Sequence, residues 1–196
     1  MVVMEELGRG IVLEPLAQTL IADAVIASYG GADVKAAWLP KIAGGESLVV
    51  LAYQERAARY HFEKCEATAT VAGTGFTINA TKNVVPAGDN ADAFIVPATI
   101  DGKMALFLVE RTGSGVTTKG YGTQDGGRAA DVVLKNAPAT LITKDGLTAL
   151  AHAVDIGIAA TCAEAIGVMD KTLAVTVDYM NQRKQFGVVI SSFQAL

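Results

Sequence analysis

The sequence predicts an α+β multidomain chain: a helical N-terminal segment, a middle β-barrel or sandwich, and a long C-terminal helix. Three observations carry this. Apolar residues recur at helical spacing up to about residue 46. From Ser47 to about Thr143 the segments are short, alternating and bounded by turns. From Asp145 a helical run follows, broken between Ala151 and Lys184 only by Gly157 and Gly167. The expected divisions are therefore 1–46, 47–143 and 144–196.

In the first segment, Val2, Val3, Leu7 and Ile11 fall on one helical face, and Gly8 and Gly10 weaken that helix near its end. Pro15 suits the first turn of the next helix, where its missing N–H would be unpaired anyway. Leu16, Thr19, Leu20, Ala24 and Ile26 continue it, and Tyr29-Gly30-Gly31 stops it. A third helix opens at Ala32 or Asp33 and carries Val34, Ala37, Trp38 and Ile42. Ala43-Gly44-Gly45 closes it, and Trp38 is expected to pack in the core.

The middle segment begins with an alternating run, Ala67 to Val71. Gly73-Thr74-Gly75 is a hairpin turn from which Phe76-Thr77-Ile78 returns. Ala93 to Val96 and Ala105 to Val109 flank a second turn at Asp101-Gly102, and Ala130 to Leu134 forms a further strand. Short strands with no helix between them predict a compact barrel or sandwich.

Composition narrows the function. With 51% hydrophobic and 18% charged residues in 196, the chain can bury a core and is not disordered. The apolar excess is expected to face a partner subunit or further helices. A net charge of −4, with no cluster of Lys or Arg, disfavours nucleic acid. Cys65 and Cys162 form neither a disulfide framework nor a metal motif, which predicts a reduced, cytoplasmic setting. His61 and His152 make no zinc site and are expected to be solvated or locally hydrogen-bonded. Glu5 and Glu6 stand where a secretory leader would be basic, and Asp155 and Glu164 interrupt the most apolar stretch, so no membrane role is expected.

The most informative motif is Arg183-Lys184-Gln185-Phe186-Gly187, followed by Phe193-Gln194. Arginine offers a permanently charged fork to phosphate, and phenylalanine a face to a base. Gly187 and the β-branched Val188, Val189 and Ile190 end the helical pattern, and Ser191 and Ser192 are expected to cap a next helix. With Tyr179, this stretch resembles the acyl-CoA dehydrogenase pattern Y-x-x-x-R-x-x-F-G-x-x-(I/L)-x-x-x-Q. In that family the segment crosses a subunit interface to the adenosine and pyrophosphate of a neighbour's FAD. The resemblance thus implies that Arg183, Gln185, Phe186 and Gln194 bind cofactor in trans.

Other stretches resemble the same family in the same order: Glu5 to Gly10, Trp38 to Glu46, Asn79 to Lys82, and Ala91-Asp92. Gly120 to Ala130 and Cys162 to Gly167 most resemble the small subunit of pimeloyl-CoA dehydrogenases. The resemblance implies that residues from 144 begin a truncated C-terminal helical bundle, whose long helix would be covered by another copy or by further helices. It also implies FAD-dependent α,β-dehydrogenation of an acyl-CoA thioester, with electrons passed to an electron-transferring flavoprotein by a homo- or hetero-oligomer.

Two stretches depart from the family. Around Tyr53, Gln54 replaces the flavin-bonding threonine, Glu55 matches, and Arg59-Tyr60-His61 replaces Gly-Ser-Asp. After Lys82, Val84 replaces the ring that stacks on the flavin, and Pro86 stands near where a hydroxyl is usual. Tyr53, Gln54, Tyr60 and Val84 are what remains of a cofactor site in cis. FAD is therefore expected to be held mainly by a partner subunit. The catalytic base is expected beyond residue 196. The minority position for it falls on Gly157, and Asp155 and Glu164 are expected to be ordinary helix positions. Arg56 and Arg59 are candidates for recognising a terminal carboxylate.

Overall fold

The computed structural model describes residues 1–59 and 61–193. Contacts group the chain into two compact units, Pro15–Gly157 and Met1–Glu14 with Ile158–Leu196. These units follow packing, whereas the divisions 1–46, 47–143 and 144–196 follow element type.

In the larger unit, α2 (Leu16–Tyr29) and α3 (Ala32–Ala43) precede seven strands. These are β1 (Val49–Leu51), β2 (Thr68–Ala72), β3 (Gly75–Pro86), β4 (Ala93–Ile100), β5 (Lys103–Glu110), β6 (Val116–Gly122) and β7 (Arg128–Thr143). Pairing runs β2–β3–β7–β5–β4, and a parallel contact of Thr68 with Thr99 returns β4 to β2. The ring is therefore a closed barrel, which leaves few unpaired edges. β1 adds to β4 in parallel, and β6 extends β7 along seven pairs. Gly73 turns the first hairpin at φ 61, a conformation glycine adopts without cost.

The pleat sorts side chains between two cores. Phe94, Val96 and Ala98 join Ile78, Phe107, Val109, Val132 and Leu134 inside the barrel, where the Phe76 and Phe107 rings meet edge to face. Ile95, Leu106 and Leu108 point outward onto Ala22, Val25 and Ile26 of α2, and onto Val34 and Ile42 of α3. Ala149, Leu150 and Ala153, from the start of α4 (Gly146–Gln182), complete this second core. β4 and β5 are thus buried on both faces, so their apolar runs are continuous. Gly146 is required where α4 begins, because a Cβ there would lie 2.7 Å from the Met104 carbonyl oxygen. Trp38 packs against the outer core, as expected.

In the smaller unit, α1 (Val2–Gly10) rests on the later part of α4 through two glycines. A Cβ on Gly8 would sit 2.0 Å from the Glu164 carbonyl oxygen, and one on Gly167 would sit 1.8 Å from that of Glu5. Arg9 bridges Glu5, Glu6 and Asp170 beside this crossing. Ile166, Met169, Leu173 and Val177 of α4 are exposed. α4 is the helix, among the described residues, long and apolar enough to span a bilayer. However, it carries Asp155 and Glu164, and its first turns are buried in protein, which suits a packed helix better.

Two expectations are corrected. α4 ends at Gln182, and β8 (Lys184–Gln185) turns back on β9 (Val188–Val189) as a hairpin. Phe186 and Gly187 form its turn at φ 53 and 84, the left-handed pair a tight hairpin needs. Ser191 and Ser192 do not open a helix. They lie in a short 3₁₀ turn, where the Ser192 hydroxyl donates back to the Val189 carbonyl at 2.7 Å. The partly buried His152 ring sits edge-on to Tyr29, and its Nδ1 is enclosed without a partner among the described residues.

Candidate cofactor site

The 183–187 tip is presented to solvent. Arg183 extends α4 by donating its N–H to the Tyr179 carbonyl at 2.8 Å, and its own carbonyl receives Ile190 N–H at 2.9 Å. These bonds fix the hairpin to the helix end. Arg183 forms no ion pair among the described residues. Phe186 is 92% exposed, and its ring meets Phe193 edge-on, with centroids 6.3 Å apart. Gln185 uses its amide on the neighbouring Lys184 carbonyl at 2.8 Å. A guanidinium without an ion pair and an exposed ring on a hydrogen-bonded turn are equipped to meet a phosphate and a flat base from another molecule. Gln194, the fourth residue of the motif, lies outside the described residues.

The segments expected to bind cofactor in cis are held together by backbone. Asn83 N–H donates to the Gln54 carbonyl at 2.9 Å. Tyr53 packs on the outer core, and the Gln54 amide turns to the Tyr53 hydroxyl at 3.5 Å. Val84 sits where the β3–β7 register shifts, at φ 50, with its side chain half exposed. Arg59 also lies in the left-handed region, at φ 50. The backbone thus retains a conformation that favours glycine but carries a long cationic side chain there. Arg56 is exposed beside an open cleft of about 590 Å³ lined also by Glu55, Asn83 and Lys135. Tyr60 lies outside the described residues. The residues present in cis fit a flavin poorly, because Val84 offers a small branched chain and Gln54 has turned to Tyr53. The tip residues fit the adenosine and phosphate end.

Between these segments lies a pair that sequence reasoning missed. Lys82 is 0% exposed, and its ammonium donates to Glu55 Oε1 at 2.6 Å and to the Pro97 carbonyl at 2.9 Å. Glu55 also accepts from Glu66 N–H at 2.6 Å and Ala67 N–H at 3.2 Å. Burial pushes the Glu55 carboxyl up, but the Lys82 ammonium and the two amides outweigh it and hold it below its ordinary 4.5. The stability this group contributes is therefore fully present above 4.5 and lost as pH falls through its lower folded value. Glu55→Gln is expected to lower the melting temperature at pH 7 and to flatten its decline below pH 4.5, as measured by thermal melts across pH. An unchanged acid slope would remove Glu55 as its source.

The minority position for the catalytic base is Gly157, which has no side chain to act as one, and a Cβ there would meet Ile21 Cδ1 at 3.3 Å. Asp155 is exposed, and Glu164 lends its backbone carbonyl to the Gly8 crossing. No cluster able to hold a metal ion occurs among the described residues.

Residues 144–196 match the family model described as acyl-CoA dehydrogenase, C-terminal domain. The chain is 28% identical over 200 residues to acyl-CoA dehydrogenase FadE27 of Mycobacterium tuberculosis, covering 99% of this chain and 51% of that protein. It superposes on the ChsE4–ChsE5 complex of Mycobacterium tuberculosis with a TM-score of 0.89 at 25% identity, covering 98% of this chain and 52% of that one. Glutaryl-coenzyme A dehydrogenase in its glutaryl-CoA complex shares the fold, with a TM-score of 0.93 at 22% identity, covering 98% of this chain and 53% of that one. The chain spans about half the length of the curated relatives it matches. The arginine–phenylalanine tip falls within the matched segment 144–196, and along nearly its whole length the chain is similar to acyl-CoA dehydrogenases.

Proposed function

We propose that this chain is a subunit, or part of one, of an acyl-CoA dehydrogenase assembly, in which its Arg183–Gly187 tip completes the flavin site of a partner subunit. The carrying observation is the asymmetry between the two halves. The tip exposes Phe186 and an Arg183 with no ion pair among the described residues, while the cis segments have Val84 and Arg59 at positive φ. In the assembly, FAD supplies the hydride acceptor for α,β-dehydrogenation of an acyl-CoA thioester, and electrons leave to an electron-transferring flavoprotein. This chain's own residues bind and orient: Arg183 neutralises phosphate charge, Phe186 covers the base, and Gln185 and Gln194 supply amides. The partner is a second copy or a different family member. The likeness to a complex of two named chains favours the latter, as does the resemblance to the small subunit of pimeloyl-CoA dehydrogenases. We place the assembly in the cytoplasm.

The test is spectroscopic. The protein purified alone is expected to be colourless, and the co-expressed assembly to absorb near about 450 nm as oxidised flavin does. A yellow preparation of the lone chain would instead assign it a flavin of its own. Arg183→Ala in the assembly is expected to weaken flavin retention by about 1.5–3 kcal/mol, the contribution of one hydrogen bond to a charged group, read as flavin released on dilution. Unchanged retention would remove the contact in trans.

A further inference from the structure

The buried ion pair has a third member. Cys65 Sγ lies 4.0 Å from Lys82 Nζ, 3.7 Å from Glu55 Oε1 and 3.4 Å from the Pro97 carbonyl oxygen. One carboxylate oxygen of Glu55 is therefore within reach of both the nitrogen and the sulfur, and one carbonyl, that of Pro97, is shared by both. The two reactive atoms differ in access. Lys82 is fully enclosed, whereas Cys65 is partly exposed, and its neighbours Glu55, Glu66 and Ala67 line the open cleft of about 590 Å³. A small oxidant can reach the sulfur while the nitrogen stays fixed behind it. Cys65 also lies between the turn ending at Lys64 and the start of β2, outside regular structure, so its side chain can approach without breaking a ladder.

We propose that Cys65 and Lys82 form a covalent nitrogen–oxygen–sulfur bridge under molecular oxygen. Lys82 first passes a proton to Glu55, 2.6 Å away, and reacts as the neutral amine. The thiol, the amine and one O₂ then give S–O–N and one water. The O–O bond breaks, one oxygen bridges, and the other leaves as water with the thiol hydrogen and one amine hydrogen. Sulfur and nitrogen each give up two electrons, which together reduce O₂ fully. Two equivalents of a dithiol reverse the reaction, restoring thiol, amine and water. Sulfur and nitrogen must draw together from 4.0 Å to take up a bridging oxygen, but by less than a direct sulfur–nitrogen bond would require. The bridge consumes the ammonium that pairs with Glu55, replacing an ion pair between β3 and the 53–67 segment with a covalent tie. Burial pushes the Cys65 thiol up, so the bridge forms slowly and serves as a record of sustained exposure.

Trypsin and mass spectrometry of the purified protein test this. The reduced chain is expected to release peptide 65–82, because Lys64 and Lys82 are both cleavage sites. After prolonged aerobic exposure a fraction should instead appear as peptide 65–103, uncut at Lys82, with a cysteine that resists alkylation. Beyond the unbridged sequence its mass should rise by about 14 Da, one oxygen gained and two hydrogens lost. Dithiothreitol should restore cleavage and alkylation, and neither Cys65→Ser nor an anaerobic sample should show the species. Cys65 that stays alkylatable, or that goes to sulfinic or sulfonic acid while Lys82 is still cut, overturns the bridge.

Discussion

Lys82→Met is expected to cost about 3–5 kcal/mol, because it leaves the Glu55 carboxylate buried without its cation. Glu55 would keep only the amides of Glu66 and Ala67. Methionine follows the path of the lysine stem, so the loss reports the charge and not a cavity. Urea denaturation at pH 7 measures it. The double variant Lys82→Met with Glu55→Leu is expected to recover much of the loss, because an apolar pair of similar volume often replaces a buried ion pair without penalty. A single variant as stable as wild type would mean that the carboxylate finds water when the lysine is gone. Because the same lysine is the nitrogen of the proposed bridge, the variant should also form no bridged species.

The second large effect is expected at the helix crossing. Gly167→Ala places a Cβ 1.8 Å from the Glu5 carbonyl oxygen and 2.8 Å from Arg9 N, both backbone atoms of α1. Backbone cannot rotate away as a side chain can, so α1 must lift. Alanine would otherwise favour an exposed helix by about 1 kcal/mol over glycine, so a net loss is the signature of the clash. We expect a loss of at least about 1–3 kcal/mol, the usual cost of overpacking. Amide exchange should accelerate across residues 2–10 while the barrel strands keep their protection. Exchange unchanged in α1 would place the helix elsewhere.

Much of the architecture was legible because the chain punctuates itself. Pro15, Gly30-Gly31 and Gly44-Gly45 mark the helix ends, and Gly73 and Gly102 mark hairpin turns that both adopt positive φ. Strands with no turn of their own to announce them were harder. β1 is buried at every position and shows no alternation, and β6 is mostly exposed and rich in threonine and glycine. The hairpin after α4 was read as the end of a helix because its β-branched pair was recognised but not its partner, Lys184-Gln185. In the candidate site, Arg183 and Phe186 were legible as chemistry on a chain end. The Glu55–Lys82 pair was not, since lysine is rarely buried and its partner lies 27 residues away. One signal was present: Lys82 stands at an even spacing from Ile78 in a strand, a pattern that directs both inward.

The outer core has a consequence for the order in which the protein can be finished. α2 emerges from the ribosome with Ala22, Val25 and Ile26 bare. Its cover comes from β4, β5 and finally Ala149, Leu150 and Ala153. β1 likewise waits for β4, its parallel neighbour more than forty residues on. Because synthesis proceeds at about 5–20 residues per second, α2 and β1 spend several seconds as sticky, unsatisfied surface. During that interval the nascent chain is a natural client for chaperones, and a pause in translation before residue 153 would lengthen its exposure to aggregation.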